Sequence, residues 1–235
     1  MITIKFFASL KTIAEMEEKI IEVSNSISMD QLSEIISKTS PKMGEFIREK
    51  KVMISVNQEM ADSETIIHDG DEVAFLPPFS GGSYNKEVNI MSTTTDSKVR
   101  IQLENFSVTD EIEVMKKVSR NIGGITTFLG TGRELSKGEN ITQLNFEHYP
   151  KMAEKKLEEI RLKAIKDYGI IDMSIIHRIG PIEIGENIVL IVAVGEHRKE
   201  TFIACEWAIA ELKRTTPIWK RETTSTGEVW VQDTP

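Results

Sequence analysis

A polar stretch in the middle of the chain constrains its architecture more than any other feature. Residues 83–97 read SYNKEVNIMSTTTDS, which is rich in Ser, Thr and Asn and lacks the apolar periodicity of a helix or strand. Such a composition is typical of a poorly ordered linker. The sequence therefore predicts two domains within 235 residues, 1–82 and 98–235, joined by the segment 83–97.

Strand and helix signals in the first domain favour a small mixed sheet crossed by a helix. Residues 2–7 alternate apolar and polar side chains, and 52–57 and 72–76 are further strand-like runs. Ser28 is a good helix N-cap, and the helix that follows it must end before Pro41. A helix laid across a sheet buries the apolar faces of both, so the sequence predicts an α+β domain.

Charge and cysteine content exclude several classes of protein. The formal net charge is -8 at pH 7, which disfavours general nucleic-acid binding. Cys205 is the one cysteine, so the chain can form neither an intramolecular disulfide nor a cysteine zinc cluster. The N-terminus lacks the pattern of a signal peptide, and no apolar run approaches the ~18 residues of a membrane span. We therefore expect a cytoplasmic protein without a bound metal.

The second domain places clusters of cations at the ends of its predicted helices and strands. The strand 123–132 leads into Arg133, and His197 and Arg198 lie between a strand and a helix predicted over 199–214. The third cluster, LKRTTPIWKRE at 212–222, spans the end of that helix and the next strand. Taken singly, each cluster also fits a solvated loop, a helix start or a helix C-terminus that complements the macrodipole.

Taken together, these clusters in an acidic chain predict a site for a small anionic molecule. Arg supplies bidentate contacts to phosphate or carboxylate, and Lys supplies a point charge or an amine. A Lys crowded among other cations has its charged form disfavoured, which favours nucleophilic or base chemistry.

Motifs in both domains resemble one enzyme family. FFA near the start, VNQ at 56–58 and DGDEVAFLPPFSGG at 69–82 are similar to the small sulfur-carrier subunit of molybdopterin synthase (MoaD-like). In 98–235 the motifs FEHYP, HRIG, EHR, LKRTTPIWKRE and GEVWV follow one another as in the large catalytic subunit (MoaE-like). The resemblance implies an N-terminal ubiquitin-like β-grasp domain followed by a C-terminal α/β hammerhead-type domain, an α+β fold class overall.

The resemblance also implies a reaction and its residues. Sulfur passes from a carrier thiocarboxylate to cyclic pyranopterin monophosphate and forms the dithiolene of molybdopterin, with no metal or organic cofactor. Lys213 and Lys220 match the catalytic lysines, and Gly81 and Gly82 match the carrier terminus. The positions expected to bind the pterin or its phosphate are Thr131, Gly132, Arg133, His197, Arg198, Arg221 and Glu222. Thr131 stands where relatives often carry Lys, so the chain departs from the family pattern at this position.

Partners follow from the same resemblance. It implies a homodimer through the catalytic domain and, for the carrier domain, an adenylating and sulfurating enzyme of the MoaB/MoeB-like E1 class. We expect Lys213, Lys220, Arg133, His197 and Arg198 to converge on one pocket, which a second subunit could complete.

The position of Gly82 leaves three alternatives open. A thiocarboxylate requires a free carboxylate at Gly82, but in the intact chain that carbonyl is bonded to Ser83. Either the linker is cut after Gly82, or a separate carrier serves the catalytic domain, or the uncut chain is a non-catalytic scaffold that binds pterin. Two other candidates are weaker, because His148 is more typical of a structural histidine and Cys205 of a small buried thiol.

Overall fold

The computed structural model describes residues 1–23, 25–78, 98–136 and 138–231. The chain divides into two compact units, 1–78 and 79–235, and each is described by itself. The predicted linker 83–97 and the predicted carrier terminus Gly81–Gly82 lie outside the described residues, so both stay predictions. None of the helices that the structure describes is long and apolar enough to cross a membrane.

The first unit is a five-stranded mixed sheet with helices packed against it. Its elements in chain order are β1 Ile2–Phe6, α1 Ser9–Ala14, β2 Glu18–Ile21, β3 Ile27–Ser28, α2 Met29–Thr39, α3 Pro41–Arg48, β4 Met53–Val56, β5 Glu59–Met60, β6 Ile66–Ile67 and β7 Glu72–Leu76.

Two parallel strands form the centre of this sheet, whose order is β2-β1-β7-β4-β5. Phe6 on β1 lies opposite Phe75 on β7, and the two rings stack with their centroids 5.4 Å apart. The apolar side of β1 packs against Leu32 and Ile36 of α2 in one core. The predicted α+β domain is confirmed, and it has the ubiquitin-like β-grasp architecture that the tail motif implied.

The capping prediction for α2 is confirmed. The Ser28 hydroxyl accepts a hydrogen bond from the backbone of Gln31, and the Gln31 side chain accepts one from the Ser28 amide. The helix ends at Thr39, before Pro41 as expected. A second helix, α3, then begins at Pro41 itself, because proline suits a first helical turn whose amide needs no partner.

The second unit contains twelve described elements built into two larger sheets and three helices. In chain order they are β8 Val99–Gln102, α4 Val108–Lys116, β9 Gly124–Thr131, β10 Leu135–Ser136, β11 Glu139–His148, α5 Met152–Tyr168, β12 Asp172–Arg178, β13 Gly180–Ile182, β14 Asn187–Gly195, α6 Arg198–Thr215, β15 Ile218–Thr224 and β16 Gly227–Trp230.

The larger core of this unit lies between one sheet and the long helices α5 and α6. The sheet has the order β8-β12-β14-β9, and α4 covers its other face. All seven residues of β12 are buried, as expected for a strand covered on both faces. A second sheet, β10-β11-β15-β16, carries β13 on β11 and encloses a smaller core.

One predicted helix start is wrong by two residues. The sequence predicts a helix that has Pro150 in its first turn and that Gly169 ends after about Tyr168, but the helix begins at Met152. Lys151 precedes it with φ 60°, in the left-handed region, so the helical conformation cannot extend back to Pro150. The predicted end is confirmed, because Gly169 closes the helix with φ 68° and donates its amide to Ile165.

Candidate active site

The C-terminal end of α6 and the strand after it bring two predicted lysines to one end of the second unit. Lys213 lies exposed in the last turn of α6, and β15 begins five residues later at Ile218. The Lys220 ammonium lies 2.9 Å from a carboxylate oxygen of Glu222. Both side chains are mostly buried, with exposed fractions of 24% and 11%. Because strand side chains alternate, Lys220 and Glu222 share one face of β15.

The local electrostatics at Lys220 differ from the sequence expectation. We expected a lysine crowded among cations, whose charged form would be disfavoured. In the described structure the Lys220 ammonium forms an ion pair with the Glu222 carboxylate. A cation held in one position by such a pair suits stabilisation of a developing negative charge.

The loop that carries Arg133 lies beside this pair. Gly132 donates its amide to the Glu186 carbonyl at 2.9 Å, and its own carbonyl accepts from Gly185 at 2.8 Å. A Cβ atom added at Gly132 would lie 3.4 Å from Leu144, whose cross-strand partner on β15 is Glu222. Since Thr131 and Arg133 flank Gly132 and both are exposed, the loop presents its side chains next to the Lys220 strand.

The N-terminal end of α6 carries the other two predicted ligands. His197 is the N-cap residue, but its side chain makes no capping hydrogen bond, and Arg198 begins the helix. Both are exposed. Gly124 packs against this turn so closely that an added Cβ would lie 3.2 Å from the Arg198 backbone. Gly123 and Gly124 also border an open cavity of about 650 Å³ that is lined by the cations Lys116, Lys117 and Arg120.

The five cations do not converge within one chain. Helix α6 leaves the end of β14 and packs back along β14 and β9. From Arg198 to Lys213 it rises about 23 Å at 1.5 Å per residue. Strand β9 lies alongside β14 over its whole length. Its first residue, Gly124, pairs with Gly195 at the end of β14, where α6 begins, and its last residue, Thr131, pairs with Asn187 at the start of β14. Arg133 therefore lies at the lysine end, and His197 and Arg198 lie at the opposite end.

Arg221 points away from the lysine face. Its guanidinium lies 2.6 Å from Glu228 and stacks over the Trp230 ring at 5.5 Å from the centroid. Adjacent residues on a strand face opposite sides, so Arg221 cannot join Lys220 on the same face of this chain. Within one chain, Arg221 therefore does not lie with the other residues that were predicted to bind substrate.

Two family models match the chain on separate stretches: the ThiS family on residues 4–82 and the MoaE protein on residues 101–215. The molybdopterin synthase catalytic subunit of Pyrococcus abyssi is 41% identical over 129 residues, which cover 55% of this chain and 86% of that protein. The chain belongs to the MoaE family. It does so as a fusion in which a ThiS-family carrier module precedes the MoaE half.

Further relatives match the same half. The molybdopterin synthase catalytic subunit of Vibrio cholerae is 38% identical over 136 residues, covering 58% of this chain and 90% of that protein. The X-ray structure of molybdopterin synthase from Staphylococcus aureus superposes with a TM-score of 0.54 at 34% identity, covering 57% of this chain and 97% of that one.

The MoaE half also contains supporting residues that the sequence did not single out. His177 is buried beneath the lysine end, where its ring packs edge-on against Phe146 at 5.3 Å, and Phe146 is the cross-strand partner of Lys220. Burial lowers the pKa of His177 to about 4, although its Nδ1–H donates to the Arg178 carbonyl at 2.7 Å. The sequence signal for these supporting residues was the HRIG motif, in which His177 and Arg178 are polar residues at the end of an apolar strand.

The weaker candidates have structural surroundings. The Cys205 thiol is buried, as predicted, and burial raises its pKa to about 11, so it is a poor nucleophile at neutral pH. His148 lies 3.8 Å from Glu154, and burial lowers its pKa. Within the described ranges, no three His, Cys, Asp or Glu side chains group as metal ligands would.

Proposed function

We propose that this chain is a molybdopterin synthase that transfers sulfur from a carrier thiocarboxylate to cyclic pyranopterin monophosphate. One observation carries the proposal: a single chain joins a ThiS module to a MoaE half in which Lys213, Lys220 and Arg133 share one end. The named relatives are molybdopterin synthase catalytic subunits, which supports the same activity here.

The site suits chemistry that builds negative charge. Each transfer forms a carbon–sulfur bond to the pterin and breaks a carbon–oxygen bond at the same carbon, whose oxygen leaves as water or on the phosphate. The acyl–sulfur bond of the carrier then breaks by hydrolysis, in which water supplies the oxygen of the regenerated carboxylate. In this proposal the Lys220 ammonium, held by Glu222, stabilises the developing oxyanion at the carrier carbonyl. Lys213 adds positive charge from the last turn of α6, a position that the helix dipole favours for a cation. Arg133 is suited to hold a phosphate oxygen.

A second copy of the chain completes this site in our proposal. His197 and Arg198 lie about 23 Å from Lys213 along one helix, too far to contact one small substrate together. Strand β9 is an edge of its sheet among the described strands. Exposed apolar side chains accompany that edge, namely Leu129 on β9 and Phe202 and Ile203 on α6. Apolar surface next to an open strand edge favours a protein interface.

The register of β9 supports a two-fold arrangement. If two copies pair antiparallel about Thr127 of each strand β9, Gly124 of one copy lies opposite Gly130 of the other. Gly124 packs on the Arg198 backbone, and Arg133 follows Gly130 by three residues. This pairing would bring His197 and Arg198 of one copy to the lysine end of the other.

Mixed dimers test the shared site. A Lys213→Ala, Lys220→Ala chain and a His197→Ala, Arg198→Ala chain are each expected to be inactive alone. After the two are unfolded and refolded together, half of the dimers are mixed, and each mixed dimer regains one intact site. We expect about one quarter of wild-type activity. No recovery in dimers of verified composition would contradict a shared site.

The carrier module needs a free Gly82 carboxylate, which this chain acquires only by cleavage before Ser83. We propose cleavage between these residues, followed by activation of the terminus by an E1-class enzyme in the cytoplasm. The variant Ser83→Pro keeps Gly82 but makes a bond that most proteases do not cut. Uncut Ser83→Pro protein, verified by intact mass, should form no molybdopterin unless a separate carrier is added.

Two alternatives give different results in that experiment. If the fused module is a placeholder, wild-type protein purified from its native cell stays uncut and works only with a separate carrier. If the chain is a non-catalytic scaffold, neither cleaved protein nor an added thiocarboxylated carrier yields product. Both alternatives follow from the peptide bond between Gly82 and Ser83, which leaves no free carboxylate at Gly82 in the uncut chain. Full activity of verified uncut chain without another carrier would refute the cleavage proposal.

A further inference from the structure

A buried arginine lies beneath the loop that carries Arg133. Arg178 is the last residue of β12 and is only 6% exposed. Its Nη1 donates to the Glu186 carboxylate at 3.1 Å and to the Asn187 carbonyl at 3.0 Å, and its Nε donates to the Leu103 carbonyl at 3.2 Å. One guanidinium therefore joins the ends of β8 and β12 to the start of β14.

The Glu186 carboxylate connects this arginine to a tight turn. The same oxygen that accepts from Arg178 also accepts the Glu183 amide at 3.2 Å, and the Glu186 amide donates back to the Glu183 carbonyl. The Glu183 amide and the Arg178 guanidinium both lower the pKa of Glu186, which keeps the carboxylate ionised at neutral pH. The turn 183–186 is thus closed by a charged acceptor rather than by backbone contacts alone.

Gly132 is held by this turn on both of its backbone groups. Its amide donates to Glu186 at 2.9 Å, and its carbonyl accepts from Gly185 at 2.8 Å. The contact is so close that an added Cβ would lie 2.8 Å from the Glu183 carbonyl. A displacement of the turn must therefore displace Gly132, and with it the next residue, Arg133.

We propose that Arg178 and Glu186 are positioning residues that fix Arg133 for substrate through Gly132. This inference deepens the proposed synthase function and rests on it. Arg178 is buried and its guanidinium donates to the Glu186 carboxylate, so we assign both residues a supporting role rather than a substrate contact. Their action is geometric: an arginine that must hold a phosphate at a defined distance loses much of its value when its loop shifts by ~1 Å.

The primary test is Glu186→Ala, because Glu186 is partly exposed and its removal leaves the strands intact. We expect KM for the pterin substrate to rise about tenfold, with a smaller change in kcat, because an orienting contact to a charged group is lost. Glu186→Gln, which keeps an acceptor oxygen, should recover part of the loss. In an Arg133→Ala background, Glu186→Ala should change KM less than about twofold, because the two variants act through one group.

The matched control is Glu158→Ala. Glu158 is a partly exposed glutamate that also accepts from a mostly buried arginine, Arg161 at 2.7 Å, but it lies on α5 away from the loop. Its removal should leave KM unchanged in both backgrounds. An unchanged KM for Glu186→Ala, or effects of Glu186→Ala and Arg133→Ala that multiply fully, would overturn the proposal while wild-type activity still supports the synthase function.

Hydrogen exchange tests the same geometry without an activity assay. The Gly132 amide should exchange about tenfold faster in Glu186→Ala than in wild type, and at the wild-type rate in Glu158→Ala. Unchanged exchange at Gly132 in Glu186→Ala would refute the positioning role whatever the enzyme assay shows.

Discussion

The two ends of helix α6 carry similar residues in different settings. At the C-terminal end, Lys220 is mostly buried and ion-paired with Glu222 on a strand held between two neighbours. At the N-terminal end, His197 and Arg198 are exposed beside an open cavity lined by further cations. An ordered, paired lysine suits charge stabilisation during the reaction, and an exposed basic surface suits capture of an anion. Each end thus supplies half of the site that we propose.

The largest expected effect is at the C-terminal end of α6, where Lys220 is paired with Glu222. Lys220→Ala removes the positive charge that we assign to the developing oxyanion and should lower kcat by about 10²- to 10³-fold. Lys156→Ala is a matched control, since Lys156 is also mostly buried and lies 2.7 Å from Glu159 on α5. Rates of molybdopterin formation under saturating carrier measure both. A Lys220→Ala enzyme with near wild-type kcat would remove the functional difference between the two ends.

Substitutions at the N-terminal end of α6, which carries His197 and Arg198, should affect substrate capture more than turnover. Arg198→Ala deletes a charged donor that we assign to the substrate phosphate, so KM should rise about 10- to 100-fold with a smaller loss in kcat. Added salt should weaken capture in the wild type more than in this variant. Lys163→Ala, at an exposed pair with Asp167, serves as control. A pure kcat defect in Arg198→Ala would show that both ends take part in the chemical step.

Acid should destabilise the MoaE half, because it protonates the buried His177 near the lysines. Its pKa in the folded chain is about 4, below the usual 6.5. Between pH 6.5 and pH 4, His177 is therefore protonated in the unfolded chain but neutral in the folded chain, and stability falls as the pH falls. The unfolding free energy of the MoaE half should therefore fall by about 2 to 3 kcal/mol between pH 7 and pH 4.5. Denaturant titrations at both pH values measure it. The fall should shrink in His177→Gln and persist in His68→Gln, which changes a histidine of the first unit.

The smallest effect is expected on the far face of β15. Arg221 is bound by Glu228 and Trp230 rather than by the lysine face, so Arg221→Ala should lower kcat/KM less than about threefold. The comparison with Lys220→Ala, one residue away, isolates the face of the strand as the variable. A loss as large as that of Lys220→Ala would mean that the second copy brings Arg221 into the site.

The sequence alone determined the modules and many element limits of this protein. Local chemistry sets the cap at Ser28, the stop at Gly169 and the helix end before Pro217, and these need no distant partner. The ordered motifs likewise identified both halves of the fusion. The predicted helix 199–214 already implied that Arg198 and Lys213 lie far apart, because rise per residue is constant.

Only the tertiary structure decided which residues share an end and a face. The partnership of Gly132 with the turn 183–186, and of Glu222 with Leu144, depends on strand register between segments distant in sequence. The buried support from Arg178 depends on three strand ends meeting at one guanidinium. Periodicity fixes the direction of a side chain relative to its own element, whereas the neighbour it meets is set by packing of elements far apart along the chain.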